Sequence, residues 1–388
     1  MAILSGKCDP KFTDVRTLLK HAISAGDELG ASIVVNIDGE EVVDLWGGFI
    51  DTERSKPWEE DTIVNVWSST KCLTSLTVLK LVEQGVLDLE EKVATYWPEF
   101  AANGKENILV RHLLAHASGL PGWEEPITQE GVCDFDAATD ALARQRPWWE
   151  PGTASGYHPV TFGHLLGGLV RKATKGTKTL SQLAAEEIAG PLGADFQIGA
   201  SKKDWPRVSP IYPPTSITAA AGTIPPDSIA FKVFMNPLPD GEFANTETFR
   251  LAESGANNGH ANARGMNRAM SAITLGGIAR GVRILQPETV ELIFKEQYNG
   301  LDLTSGNQIR YGIGFGLVGE AGTKGMGIDD FVPPGKICYW GGWGGSMIIM
   351  DLSRKLTITY AMNKMYDAGL GSENTKKYVR AIYRALGV

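Results

Sequence analysis

The chain has 388 residues, 43% of them hydrophobic and 21% charged, with a net charge of −8 and an isoelectric point near 5.4. That length buries a large core and suggests about two domains, in series or interleaved. The acidic balance, with no Lys/Arg cluster longer than a pair, argues against a nucleic-acid or anionic-membrane surface and favours small neutral or apolar partners.

Met1-Ala2-Ile3-Leu4-Ser5-Gly6-Lys7-Cys8 lacks a basic start followed by a long apolar run, and no stretch reaches transmembrane length. The expectation is a cytoplasmic protein without a secretory signal or membrane span. Cys8, Cys72, Cys133 and Cys338 are scattered without metal or redox spacing and read as free thiols.

In chain order, Val15, Leu18, Leu19, Ala22 and Ile23 recur at helical spacing and predict a helix over 13–26 with Gly26 as its stop. The runs 31–37 and 41–46 flank Asp38-Gly39 and predict a hairpin, hence antiparallel sheet. From Ser69 to Val82 apolar residues fall nearly all round, the pattern of a buried helix, and Gly85 ends it. Residues 86–290 read as mainly helical, with segments at 134–145, 160–174 and 178–188, Pro-rich loops at 206–226 and no clear strand. Strands return at 311–318, 346–351 and 355–362, and 373–386 predicts a closing helix. The expected fold is α+β: an antiparallel sheet flanked by helices, built from 1–85 plus 291–388, with an inserted mainly helical domain at 86–290 and the active site at their interface.

Ser68 and Lys71 stand three apart where the buried helix begins, so the amine faces the hydroxyl. A serine attacks only if a base takes its proton, and a lysine serves as that base only where burial lowers its pKa from about 10.4 toward neutrality. Spacing alone is weak: twenty serines and twenty-one lysines in 388 residues predict about one Ser-x-x-Lys by chance, which is the number present. Helix cap and solvated first-turn charge are the plain structural alternatives for the two residues. Two further stretches supply what the pair would need. Tyr157 closes a turn of small residues and fits a proton relay, its phenol pKa lowered by Lys71 beside it; a tyrosine packed over a loop is the bland alternative. Gly341, Gly342, Gly344 and Gly345 precede an apolar strand and offer a backbone amide that, with the Ser68 amide, forms a two-donor pocket for an oxyanion. A glycine-rich hairpin or bulge is the alternative there. His112 and His116, four apart on an expected helix, lack a third ligand and read as structural, and no metal or cofactor is expected. There is no Gly-x-Ser-x-Gly elbow, which argues against an α/β-hydrolase triad.

Taken together, Asn65-Val66-Trp67-Ser68-Ser69-Thr70-Lys71, Leu113-Leu114-Ala115-His116-Ala117-Ser118-Gly119-Leu120-Pro121, Glu150-Pro151-Gly152 with Tyr157, Gly259-His260-Ala261-Asn262-Ala263-Arg264 and Trp340-Gly341-Gly342 resemble the serine β-lactamase and penicillin-binding-protein superfamily. The likeness is nearest to the class C β-lactamase-like esterases, the family VIII carboxylesterases. It implies Ser68 as acylated nucleophile, Lys71 and Tyr157 as base and relay, and an oxyanion hole from the Ser68 and Trp343 amides. Where the β-lactamases carry Tyr-x-Asn and Lys-Thr-Gly, this chain has Tyr157-His158-Pro159 and Trp340-Gly341-Gly342. Trp340 brings an apolar face and no cation, so neutral esters are expected in place of anionic lactams, bound by Trp340, Gly341, Gly342, Trp123, Trp148 and His158, with Trp149 and Trp343 adding apolar wall. The expected activity is a cofactor-independent carboxylesterase acting on a small-molecule ester. Acyl transfer to a polyketide-like alcohol is the alternative, followed by a β-lactamase or D-aminopeptidase and by a member that has lost catalysis.

Overall fold

Asp38 and Gly39 both take positive φ, 49° and 93°, the two-residue turn whose twist suits a hairpin. It joins the strands Gly30–Ile37 and Glu40–Gly48 with Ile37 opposite Glu40. The computed structural model describes residues 4–214, 224–319 and 327–388, and within them this hairpin belongs to a nine-stranded antiparallel sheet. Its order is Leu4–Cys8, Glu40–Gly48, Gly30–Ile37, Leu356–Met362, Met347–Asp351, Ile337–Gly341, Gly316–Leu317, Gln308–Tyr311, Tyr298–Leu301. Both ends of the chain therefore supply the sheet, and the fold is α+β as expected. Residues 1–3 of the N-terminal segment and 215–223 of the Pro-rich loop lie outside the described residues.

Successive strand residues face opposite sides, and Leu356–Met362 shows what each side meets. Tyr360 packs on Tyr378 of the helix Glu373–Leu386, which lies beside the helix Thr13–Ala25. Thr357 and Thr359 face the helix Ala263–Thr274: Asn267 Nδ2 donates to Thr357 O at 3.1 Å and Thr359 Oγ1 to Ala263 O at 2.7 Å. The sequence reading put residues 263–274 in the inserted helical part, but this helix lies against the sheet instead. Its residues Ala263, Met266, Ala269, Met270 and Ile273 are buried.

A second, four-stranded sheet runs Phe196–Ile198, Gly259–Ala261, Ile63–Asn65, Val208–Ser209. Three of its strands fall in 86–290, where no strand was expected. Two or three residues with polar or glycine members give no readable alternation. The expected strand 311–318 is also split: Gln308–Tyr311 and Gly316–Leu317 flank a turn at Gly314 (φ 79°), where Ser75 Oγ of the buried helix donates to Gly314 O at 2.8 Å. Among the described residues no helix is long and apolar enough to cross a membrane.

Glu28 follows the first helix and is fully buried. Tyr360 Oη and Asn374 Nδ2 both donate to its Oε1, the latter at 3.0 Å, while Oε2 has no partner among the described residues. Burial outweighs these donors and raises the carboxyl pKa to about 7. The folded protein thus holds a proton that the unfolded chain has released above about 4.5. This group's contribution to stability is complete below that pH and is lost as pH rises through about 7. Glu28→Gln, which cannot ionise, is expected to gain in thermal midpoint relative to wild type between pH 5 and pH 8. An unchanging difference across that range contradicts a buried neutral carboxyl.

Candidate active site

The segment before Ser68 is bent by design of its neighbours. Trp67 has φ +48°, a conformation bulky residues rarely hold and one that costs on the order of 1–3 kcal/mol. Three contacts enforce it. Asn65 Oδ1 accepts the Trp67 N–H at 3.3 Å, the indole lies 5.0 Å from the Trp343 ring, and it lies 5.9 Å from Phe249. Asn65 is itself held by donating to Asn257 O and Gly259 O at 3.0 and 3.2 Å. The helix starts at Thr70 and runs to Glu83, with Ser69 at its cap position and no side-chain cap bond. Ser68 is therefore not a helix cap; its half-buried hydroxyl is free to meet other groups.

Two of them converge on it. Lys71 Nζ lies 3.1 Å from Ser68 Oγ, and Tyr157 Oη donates to the same oxygen at 2.6 Å. Lys71 is 1% exposed and donates to two backbone carbonyls, Pro159 O at 2.7 Å and Ala256 O at 2.9 Å. Burial pulls its pKa well below the ordinary lysine value. A neutral amine has two N–H groups and one lone pair; the carbonyls take the former and Ser68 faces the latter. The phenol behaves differently from expectation. Burial pushes Tyr157 up to about 12, against the lowering by its bond to Ser68 and by the Trp340 indole nearby. The expected lowering by a Lys71 cation does not appear, because burial dominates at the phenol and also disfavours a charge on the lysine. Burial thus favours an uncharged Lys71 amine and a protonated Tyr157 phenol around one hydroxyl.

Tyr157 is backed by histidines that the spacing of 112 and 116 did not place. The helix Val110–Leu114 ends before His116, which leaves it with φ +57° and turns toward the site. His116 Nδ1 accepts the backbone N–H of His158 at 3.1 Å, and its ring lies 5.2 Å from Tyr157 and 5.8 Å from Trp340. His112 Nδ1 accepts the N–H of Leu109 at 3.2 Å, inside its own helix turn. His158 pairs with Ser118 Oγ at 2.8 Å and Gly156 O at 2.5 Å and is fully buried. It braces the turn carrying Tyr157 and does not line the cavity.

The glycine segment docks on the serine segment through Ser346, whose Oγ lies 3.0 Å from Ser69 Oγ and donates to Val66 O at 2.8 Å. Gly342 makes that approach possible: a Cβ on it would sit 2.2 Å from Val66 O. Gly345 N donates within the loop to Gly342 O and Gly344 N donates to Ala368 O of a separate segment, whereas neither Ser68 N nor Trp343 N has an acceptor among the described residues. Both residues line the cavity.

The cavity above Ser68 measures about 800 Å³ and includes Tyr157, Trp123, Trp340, Gly341 and Trp343 in its lining. Trp148 and Gly342 were expected there with His158 but stand behind it. Trp148 packs on Gly122 and under Lys232, whose Nζ is 5.4 Å from its ring, and Gly342 is spent on Val66. Trp149 is also withheld, its indole N–H donating to Ala154 O. Sequence reasoning missed the carbonyls of Pro159 and Ala256, which no side-chain type can signal, and Phe243 and Phe249, indistinguishable in sequence from ordinary core aromatics.

The family model described as Beta-lactamase matches residues 15–381. Over 294 residues the chain is 35% identical to the esterase/beta-lactamase LipL of Mycobacterium tuberculosis, covering 74% of this chain and 68% of that one. A crystal structure of a family VIII carboxylesterase superposes with a TM-score of 0.89 at 36% identity, covering 99% of this chain and 100% of that one. A penicillin-binding-protein homologue from Caulobacter crescentus gives 0.87 at 32% identity over 99% and 100%. Match length and identity agree with the Ser68, Lys71 and Tyr157 geometry, and the chain belongs to the beta-lactamase family of serine hydrolases.

Proposed function

We propose that the protein is a carboxylesterase that hydrolyses neutral carboxylic esters through an acyl-enzyme on Ser68. The observation that carries this reading is the meeting of the buried Lys71 amine, whose charged form burial disfavours, and the Tyr157 phenol on one serine oxygen. Lys71 takes the Ser68 proton as Oγ bonds to the ester carbonyl carbon, and the carbonyl oxygen, now negative, is held by the Ser68 and Trp343 amides. Collapse breaks the bond to the alcohol oxygen, which takes the Tyr157 proton; the Lys71 ammonium then restores the phenol. Water repeats the sequence: its proton goes to Lys71, the acyl–Oγ bond breaks, and Oγ is reprotonated from Tyr157. The similarity to LipL and to a family VIII carboxylesterase supports the ester as substrate, and the apolar Trp340 in the cavity wall favours a neutral one.

Ser68→Ala is expected to lower turnover of p-nitrophenyl butyrate by at least about 10³-fold, because the nucleophile itself is removed. Intact-protein mass spectrometry on wild type should find the butyryl adduct at Ser68. Full activity in the alanine variant refutes the mechanism. The relation of kcat/KM to pH should show one acid limb, where Lys71 loses its proton, placed well below the ordinary lysine range by burial, and no alkaline fall before the phenol titrates near about 12. A limb at the usual lysine pKa would mean that burial does not depress the amine, and an acid limb that stays in place in Lys71→Arg would mean that the amine is not the base. Nitrocefin, anionic and a lactam, is expected to turn over more slowly than the ester. A rate that rivals it would favour the β-lactamase reading, and a transester product in the presence of an added primary alcohol would favour acyl transfer.

A further inference from the structure

Ser254 Oγ donates to Asn257 Oδ1 at 2.7 Å, which fixes the amide and turns its Nδ2 the other way. That nitrogen has no acceptor among the described residues and is not sealed in the core. Asn257 lines the cavity above Ser68, so its free N–H groups open onto it. The backbone beneath is held on two sides: Asn65 Nδ2 donates to Asn257 O at 3.0 Å, and Lys71 Nζ donates to the neighbouring Ala256 O at 2.9 Å. The amide therefore belongs to the same short segment that holds the base. Around it the wall is aromatic. The Trp67 ring lies 5.9 Å from Phe249, Phe249 lies 6.0 Å from Phe243, and Asn258 Nδ2 holds the Phe249 carbonyl. All three rings line the cavity, and an oriented donor without an acceptor stands out among them.

A tetrahedral carbon on Ser68 Oγ has three directions left. The oxyanion faces the Ser68 and Trp343 amides. The leaving oxygen must reach Tyr157, so the alcohol runs along Trp340, 5.4 Å from the phenol ring, and Tyr311, 5.8 Å from Trp340. The acyl chain takes the third direction, toward Trp67, Phe249 and Asn257. We infer that Asn257 is a specificity-determining residue whose amide N–H binds an oxygen on the acyl chain, so that the substrates are esters of hydroxy, oxo or alkoxy acids. The inference rests on the acyl-enzyme reading above. A hydrocarbon chain lying there strips water from the N–H and returns nothing, whereas an oxygen in the same place restores the bond. A donor of this kind separates substrates by more than an apolar wall separates chains differing by one methylene.

The test uses ester pairs in which one CH2 is replaced by an ether oxygen. Ethyl butyrate is paired with ethyl methoxyacetate, and ethyl pentanoate with ethyl 3-methoxypropionate, both altered in the acyl chain. Butyl butyrate is paired with 2-methoxyethyl butyrate, altered in the alcohol. For each pair the ratio of kcat/KM, oxygenated over hydrocarbon, is compared between wild type, Asn257→Leu, which removes the donor, and Asn257→Asp, which replaces it by an acceptor of the same size. On at least one acyl pair both variants are expected to lower the ratio by about 3- to 10-fold, the size of one hydrogen bond, mainly through KM. The alcohol pair should move by less than about twofold. Should the leucine variant not fold, the aspartate variant decides alone. Ratios that stay the same on both acyl pairs overturn the inference, and a loss of equal size on the alcohol pair overturns the assignment to the acyl side. In either case a methoxyacetyl or butyryl adduct at Ser68 of wild type leaves the acyl-enzyme standing, and absence of both adducts removes the two together.

Discussion

A lysine amine placed in the protein interior, bonded to two carbonyls and paired with no carboxylate among the described residues, is the constraint on which the candidate site depends. Lys71 donates to Pro159 O and Ala256 O, and the cost of burying a positive charge exceeds what those two dipoles return to it. In such surroundings the charged form is the costly one, and the amine is left as a base. The same burial holds the proton on Tyr157. One environment thus shifts the pKa values of two groups that share one hydroxyl in opposite directions.

That environment is assembled from segments far apart in the chain. The helix Thr70–Glu83 is buried along its first ten residues, so it can carry Lys71 into the core, and the turn at Tyr157 and the loop at Ala256 close over it. Local strain is accepted where it aims a group. Trp67 and His116 both hold positive φ, one ahead of the nucleophile and one behind the phenol, each pinned by hydrogen bonds or ring contacts on several sides. Gly342 answers a different need, since only a residue without a side chain lets the loop lie against Val66.

The apolar wall of the cavity suits the neutral esters proposed as substrates. An apolar indole at Trp340 stands where the pattern of the β-lactamases has a lysine, and Trp67, Phe243 and Phe249 extend that character on the other side of Ser68. Binding there rewards burial of apolar surface and gives an anionic substrate group no compensation from Trp340.

The sequence by itself determined the parts whose signals are local. Asp38-Gly39 announces its turn, the apolar run after Ser69 announces a buried helix, and residues 373–386 carry a clear amphipathic period that the helix Glu373–Leu386 follows. Ser68, Lys71 and Tyr157 were legible as candidates only through the set of motifs together, because a lone Ser-x-x-Lys is expected about once by chance. Tertiary structure alone decided the rest. Short strands such as Gly259–Ala261 have no period to read, and the partners of Lys71 are backbone oxygens that belong to no residue type. Trp123 and Trp148 look equivalent in sequence, yet only the first lines the cavity. The charge states of Lys71 and Tyr157 were decided last, because desolvation depends on how completely distant segments exclude water, a property of the packed chain and of no stretch within it.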